Sequence, residues 1–174
     1  MKKIFISAIF MALSFNSAWA NGCQESDKIT TSQIESAQQQ WAAGIVNIGT
    51  AKDAKTAASN HLDTLYAYDM GTVLFKPTKA EQDQFRGTKS EALSYFVGGE
   101  NPEDKGFALA PFSKVRFANE ATIIDCDSAI AMGNYYFTAP DNKEIKVEYT
   151  FGYVKDAKNN LKINLHHSSL PYHH

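Results

Sequence analysis

The sequence predicts a single α+β domain, with N-terminal helices packed on a curved antiparallel sheet. Apolar residues recur at three- and four-residue steps over residues 31–70, but they alternate at every second position from residue 114 onward. The first period is that of an amphipathic helix, and the second is that of a half-buried strand. Because the helices precede the long strands and no linker or repeat separates them, we assign residues 21–174 to one domain.

Residues 1–20 have the pattern of a secretory signal peptide. Lys2 and Lys3 give a positive start, residues 4–15 form a short apolar run, and residues 18–20 (Ala-Trp-Ala) form a cleavage site. The apolar run is shorter than the roughly 20 residues that a membrane-spanning helix needs. We therefore expect a periplasmic or secreted protein with no membrane attachment after cleavage.

The charge balance argues against nucleic acid as a partner. The chain has a formal net charge of −2, and the loss of two lysines with the signal would make it more acidic. No basic stripe is present, whereas nucleic-acid-binding surfaces carry clustered Lys and Arg. In an oxidising compartment, the default expectation for Cys23 and Cys126 is a disulfide. Metal ligation by the two thiols is the weaker alternative, since no CxxC spacing supports it.

Three helices come first along the chain. The first begins at Thr31 and ends at Gly49, the second covers residues 53–70 and stops at Gly71, and the third covers residues 90–97. A short strand is predicted between the second and third helices, and polar turns separate the longer strands that follow. The predicted strands are 72–76, 114–120, 129–139, 144–154 and 161–172.

The last strand carries two histidines and two serines in succession. Apolar residues occupy its odd positions from 161 to 165, so strict alternation turns His167 and Ser169 inward and leaves His166 and Ser168 outside. A buried imidazole and hydroxyl need hydrogen-bond partners, or each costs about 1–3 kcal/mol. The inner face therefore holds either a satisfied polar network or a wet pocket.

The preceding strand adds aromatic residues to the same face. Its alternation turns Val147, Tyr149, Phe151 and Tyr153 inward, whereas Glu148 faces out. An apolar pocket with a few polar tips is the usual composition of a small-molecule site. We therefore expect Tyr149 and Phe151 to contact the substrate.

Several common catalytic sites find no support. The sequence has no phosphate-binding glycine loop, no HExxH and no GxSxG. His61 with His167 could form part of a zinc site, but a catalytic zinc needs three protein ligands and no third ligand is apparent. We expect no metal, with zinc or manganese as the alternative. His173 and His174 belong to a frayed end or a tag remnant and receive no function.

Six short segments carry a resemblance to a known family. They are LFKPTKA (74–80), SYFVGG (94–99), DKGFALAPF (104–112), AMGNYYFT (131–138), VEYTFGY (147–153) and HHSSLPY (166–172). Together they resemble the iota-class carbonic anhydrases, over about Trp41 to Tyr172. The order of helices and strands is similar to the cone of the nuclear transport factor 2-like superfamily, including the association domain of calcium/calmodulin-dependent kinase II.

The resemblance implies reversible hydration of carbon dioxide to bicarbonate without a metal. It adds Thr78 and Tyr95 to the pair chosen by alternation, which makes His167, Ser169, Tyr95 and Thr78 the candidate catalytic residues. In this scheme the three hydroxyls donate to the carbon dioxide oxygens, and His167 takes the proton of the attacking water.

Two other functions remain open. A non-catalytic association module would assemble through the outer sheet face, where His166 and Ser168 are expected. An isomerase or hydratase of the same superfamily would need a carboxylate near the histidine, and the outward Glu148 does not supply one. A homodimer is the default assembly, since the fold leaves a broad sheet face open to pairing.

Overall fold

The structure is a computed structural model, and it describes Cys23 and residues 28–173. The predicted signal peptide at residues 1–20 lies outside this part of the chain. None of the helices described there has the length and hydropathy to span a bilayer. The elements are α1 (Thr31–Thr50), α2 (Ala54–Leu65), β1 (Leu74–Lys76), α3 (Lys89–Val97), a 3-10 turn (Phe107–Leu109), β2 (Lys114–Ile124), β3 (Ser128–Thr138), β4 (Glu144–Lys155) and β5 (Leu161–Ser169).

Each of the three α-helices begins at a capping side chain. Thr30 and Thr88 form capping boxes with the third residues of α1 and α3, and Asp53 accepts the backbone N–H of Thr56 at the start of α2. These bonds satisfy N–H groups that have no partner within the first turn of a helix. The starts of all three helices therefore lie within one residue of their predicted positions.

The second helix ends five residues earlier than predicted. Tyr66 is already extended, with φ −103° and ψ 152°. The next N–H, that of Ala67, donates to the carbonyl of Ile163 at 2.9 Å. Pairing with β5 therefore overrides the helical pattern of residues 66–70, which is a tertiary effect that periodicity does not report.

The five strands form one mixed sheet in the order β1-β5-β4-β3-β2. β1 pairs with β5 in parallel, and the other neighbours are antiparallel. The α-helices cover the inner face, where Trp41 is fully buried and its ring stacks on Tyr135 with centroids 5.5 Å apart. The predicted architecture of helices on a curved sheet is confirmed, with β1 as a parallel addition to the antiparallel strands.

A β-bulge in β5 reverses the predicted facing of its C-terminal half. Tyr153 pairs with Ile163 and Gly152 with Leu165, so Asn164 is an extra residue between two consecutive pairs. One extra residue moves every later side chain to the other face. The prediction that His167 and Ser169 face inward is therefore wrong.

Gly152 makes room for this bulge. A Cβ on Gly152 would lie 2.8 Å from Oδ1 of Asn164 and 2.9 Å from Cβ of Leu165, both closer than side chains normally approach. Elsewhere in β4 the predicted alternation is confirmed, since Val147 and Tyr149 are buried whereas Glu148 is exposed.

The predicted disulfide is present. Cys23 and Cys126 are joined with their Cα atoms 5.4 Å apart, across a sequence separation of 103 residues. Nearby, the N–H of Ile29 donates to the carbonyl of Cys126 at 2.9 Å. The bond thus ties the segment before α1 to the turn between β2 and β3.

Candidate active site

A cavity of about 90 Å³ lies on the inner face of the sheet, between β5, β3, α3 and the 3-10 turn. This volume gives room for a ligand of a few non-hydrogen atoms. Its walls are mainly aromatic and aliphatic, with a small set of polar groups among them. The polar side chains are Thr78, Lys79, Tyr95, Tyr135, His166 and Ser168.

His166 is the imidazole that faces this cavity. It is 2 % exposed, its ring stacks on Phe75 at 4.5 Å, and Phe151 packs edge-on against it at 4.4 Å. Burial holds its pKa well below the usual value for histidine. His166 is therefore a neutral ring at physiological pH.

A chain of two hydrogen bonds assigns the tautomer of His166. Trp41 Nε1, which can only donate, gives its proton to the Tyr66 hydroxyl at 2.8 Å. The Tyr66 hydroxyl lies 2.8 Å from His166 Nδ1 and has its own proton left to donate there. With Nδ1 an acceptor, the proton of the neutral ring is on Nε2.

The Nε2–H group points toward the polar side of the cavity. The Tyr135 hydroxyl lies 3.5 Å from Nε2, a distance at which a hydrogen bond is weak. Burial raises the pKa of Tyr135 above its usual value, so this phenol also keeps its proton. The cavity thus presents two neutral donors side by side.

Thr78 and Ser168 meet because β1 runs parallel to β5. The register places Lys76 opposite His167, so the chain that continues past β1 stays beside the end of β5. Thr78 Oγ1 donates to Ser168 Oγ at 2.8 Å. Two hydroxyls on separate segments are therefore joined at the edge of the cavity.

Tyr95 projects from α3 and completes the polar group. The backbone N–H of Lys79 donates to its hydroxyl oxygen at 3.3 Å, which leaves the phenol proton free for another acceptor. Burial raises the pKa of Tyr95 to about 12. Tyr95 is thus a hydrogen-bond donor throughout the physiological range.

Thr78 and Tyr95 lie on the cavity wall, whereas His167 and Ser169 do not. His167 is exposed on the outer face opposite Thr150, and Ser169 Oγ donates to Glu148 Oε2 at 2.8 Å. The bulge at residue 164 accounts for both positions. The inward pair is His166 and Ser168, the two residues that alternation assigns to the outer face.

Tyr149 and Phe151 face inward as predicted, but neither lines the cavity. The Tyr149 hydroxyl donates to Asn119 Oδ1 and accepts from Gln38 Nε2 at 3.1 Å, on the far side of the core. Phe151 lies against the His166 ring and supports it. Direct contact of Tyr149 and Phe151 with a substrate stays a prediction, and their positions outside the cavity wall do not favour it.

Sequence reasoning missed Tyr135, His166 and Ser168. Tyr135 could have been found, because it pairs with Val147, which is correctly predicted to face inward. The other two required the bulge. The available signal was Gly152 inside a strand, a residue that often marks a bulge.

The two histidines of the alternative zinc site are not brought together. His61 is buried beneath the helices, where burial lowers its pKa to about 3, whereas His167 is exposed on the outer face of the sheet. Within the described residues, no three His, Cys, Asp or Glu side chains are grouped to hold a metal ion.

Comparison with known proteins identifies the family. A model of the family described as metal-independent carbonic anhydrase matches residues 32–170. A metal-independent carbonic anhydrase from Nostoc sp. (strain PCC 7120 / SAG 25.82 / UTEX 2576) is 43% identical over 153 residues, which cover 83% of this chain and 75% of that protein. The crystal structure of an iota-carbonic anhydrase from a cyanobacterium, complexed with bicarbonate, superposes with a TM-score of 0.82 at 41% identity and covers 85% of this chain and 96% of that one.

More distant structures bear on the fold alone. An NTF2-like family protein from Streptomyces avermitilis gives a TM-score of 0.53 at 14% identity, covering 82% of this chain and 96% of that one. A structure assigned to the calcium/calmodulin-dependent protein kinase II association domains, from Xanthomonas campestris, gives 0.51 at 23% identity, covering 79% and 82%. The NTF2-like cone is thereby confirmed, and the family match over residues 32–170 shows that the chain belongs to the metal-independent, iota-class carbonic anhydrases.

Proposed function

We propose that this chain hydrates carbon dioxide reversibly to bicarbonate in the cavity beside His166. The observation that carries the proposal is the fixed Nε2–H of a neutral, buried imidazole, next to hydroxyl donors in a small apolar cavity. Apolar walls suit a small uncharged gas, and the donors suit the charge that its oxygens acquire. The bicarbonate complex of the cyanobacterial relative supports the same substrate class.

The chemical step joins a water oxygen to the carbon of carbon dioxide. As the C–O bond forms, one C=O π pair moves onto a carbon dioxide oxygen. The His166 Nε2–H and the Tyr95 hydroxyl donate to that oxygen. Removing one such donor from other enzymes costs on the order of 100- to 1000-fold in rate. These donors are already oriented, so little reorganisation is needed when the charge develops.

Ser168 and Thr78 provide the route by which the water proton leaves. Thr78 donates to Ser168 before the reaction; the two hydroxyls then rotate, so that Ser168 Oγ accepts the water proton and passes its own to Thr78 Oγ1, which lies 2.8 Å away. Thr78 is half-buried and releases a proton to solvent. Because Nε2 of His166 is already protonated, His166 acts as a donor to substrate. His167, which was expected to act as the base, lies on the outer face of the sheet and takes no part in this step.

The proposal requires no metal. The family is described as metal-independent, and the charge stabilisation above comes from hydrogen-bond donors of this chain alone. Stopped-flow carbon dioxide hydration, measured on chelator-treated protein with and without added zinc or manganese, tests this point. Activity that appears only with added metal would refute the metal-free mechanism while leaving the reaction in place.

The adjacent serines give a matched pair of variants. Ser168→Ala removes the hydroxyl inside the cavity, and Ser169→Ala removes the same group from the outer face. We expect the first to lower kcat/KM by about 100-fold and the second to change it by less than about twofold. Equal activity of the wild-type protein and Ser168→Ala would refute the assigned site, and an inactive wild-type protein would refute the function.

The homodimer and the periplasmic or secreted location stay predictions. The outer sheet face carries exposed apolar side chains at Ile123, Ile130 and Met132, which supports pairing of two copies there. The alternative in which His166 and Ser168 contribute to assembly through the outer sheet face is wrong, since both side chains are buried on the inner face. Gel filtration with light scattering would decide the oligomeric state.

A further inference from the structure

A buried ion cluster lies outside the cavity and is not used in the chemistry proposed above. Arg86 is fully buried. Arginine side chains are almost never fully buried unless they are paired with an acidic group. Its Nη2 and Nε donate to the two carboxylate oxygens of Asp104, at 2.7 and 3.3 Å. Asp104 is also buried, so this bidentate pair fixes the distance between two loops.

Glu103 adds a second connection between the same loops. Its carboxylate accepts the backbone N–H groups of three consecutive residues, 81 to 83, at 3.0 to 3.1 Å. It also accepts from Nη2 of Arg86 at 3.3 Å. These backbone bonds, aided by the guanidinium, hold the pKa of Glu103 at about 2, so the carboxylate stays charged.

The segment that Glu103 holds is the one that carries Thr78. Residues 77–87 contain no helix or strand. Near the far end of this segment, the N–H of Arg86 donates to the carbonyl of Phe75 at 2.9 Å. The middle of the segment is fastened by the bonds to Glu103. Segments without packed secondary structure open easily. The bonds to Glu103 therefore restrict the motion of residues 77–87.

We infer that Glu103 and Arg86 are positioning residues for the active site. They hold residues 77–87 so that Thr78 Oγ1 stays within 2.8 Å of Ser168 Oγ and the Lys79 N–H stays on the Tyr95 oxygen. Neither residue lines the cavity, so both act through Thr78 and Lys79. The inference rests on the proposed function only where activity is the readout.

Glu103→Gln tests the inference with little change in shape. The amide has one acceptor oxygen instead of two and no charge, so the bonds to residues 81–83 weaken. A displacement of about 1 Å in an active site costs on the order of 100-fold. We expect kcat/KM to fall by about 10- to 100-fold. The control is Glu81→Gln, which removes the same charge from an exposed position in the same segment and should leave kcat/KM within about twofold.

A double variant separates positioning from general stability. In a Thr78→Val background the hydroxyl to be positioned is absent, so Glu103→Gln should lower kcat, measured per folded protein, much less than it does in the wild-type protein. The same fractional loss in both backgrounds would show that Glu103 does not act through Thr78, and would overturn that part of the inference.

Amide hydrogen exchange gives a readout that needs no activity. Glu103→Gln should speed exchange within residues 77–87 by at least about tenfold and leave α1 and the central strands unchanged. Exchange like that of Glu81→Gln would overturn the inference, whatever the activity. If the wild-type protein fails to hydrate carbon dioxide, the proposed function fails, and the exchange measurement still decides the role of Glu103.

Discussion

The Tyr66 hydroxyl lies 2.8 Å from Nδ1 of His166 and already accepts from Trp41, so its own proton is directed to that nitrogen, and this decides what the imidazole can do. It leaves the ring proton on Nε2, where it points toward a cavity rather than into the core. A histidine usually serves as a base in catalysis because its pKa lies near neutrality. Here, burial keeps the ring neutral, and the bond from Tyr66 makes the ring a donor at Nε2.

Replacing Tyr66 by Phe should release this constraint. The variant leaves Trp41 Nε1–H without its acceptor and His166 Nδ1 without its donor, at a cost of about 1–3 kcal/mol in the free energy of unfolding. We expect kcat to fall at least about tenfold and the ring nitrogens of His166 to show mixed tautomers in NMR spectra.

Tyr153→Phe is the matched control for Tyr66→Phe. The Tyr153 hydroxyl is buried and makes no hydrogen bond of normal geometry within the described residues. Its removal should therefore leave stability unchanged or increased, and activity unchanged. A Tyr66→Phe protein that matches Tyr153→Phe in both respects would contradict the assigned role of Tyr66.

The donor set should keep its protonation state across the neutral range. The pKa of His166 lies well below its usual value and that of Tyr95 is about 12, so neither group titrates between about pH 6 and 9. We therefore expect kcat/KM for hydration to be nearly constant over that interval in stopped-flow assays. A rise through a single titration near pH 6.5 would instead indicate a histidine base.

Acid should destabilise the fold through its two buried histidines. Burial lowers the pKa of His61 to about 3 and that of His166 well below the usual value, whereas both take up protons near pH 6.5 when unfolded. Their contribution to stability is complete above pH 6.5 and is lost as the pH falls below it. Each histidine adds a slope of about 1.4 kcal/mol per pH unit.

Urea unfolding between pH 7 and pH 5 measures this slope, in a range above that in which lowered carboxylate pKa values contribute. His61→Gln should remove about half of it. An unchanged slope in His61→Gln would mean that His61 already takes up its proton in the folded protein.

Loss of the disulfide should lower stability without affecting the cavity. In the chain-entropy model, a closed loop of about 100 residues contributes roughly 4–5 kcal/mol at most. The bond joins Cys23 to Cys126, and neither cysteine lines the cavity. We expect the Cys23→Ser, Cys126→Ser double variant to unfold at lower urea concentration yet keep its kcat at 25 °C. Loss of kcat in the folded double variant would show that the bond also shapes the site.

The fold could be predicted from the sequence because its signals are local and repeated. Helical spacing, capping residues and strand alternation each recur over many positions, so an error at one residue leaves the architecture intact. Tyr66 and Ala67 depart from the pattern only because Ile163, far away in sequence, offers them a pairing partner.

The site was harder to predict because it depends on one residue. Strict alternation counted from Leu161 fails at Asn164, so every later side chain in the strand points to the face opposite the predicted one. Leu165 conceals the change, since its apolar side chain continues the pattern although it now lies beyond the bulge. Only the family resemblance places Thr78 in the site, because its position depends on the parallel pairing of β1 with β5.

Because residue 164 is extra in the last strand, the site should tolerate the loss of one residue at that position. Tyr153 with Ile163 and Gly152 with Leu165 are neighbouring rungs of the ladder even without residue 164 between them. A homologue shorter by that one amino acid would keep its imidazole and hydroxyl directed at the cavity. The orientation of these groups is thus set by the rungs nearest the chain end.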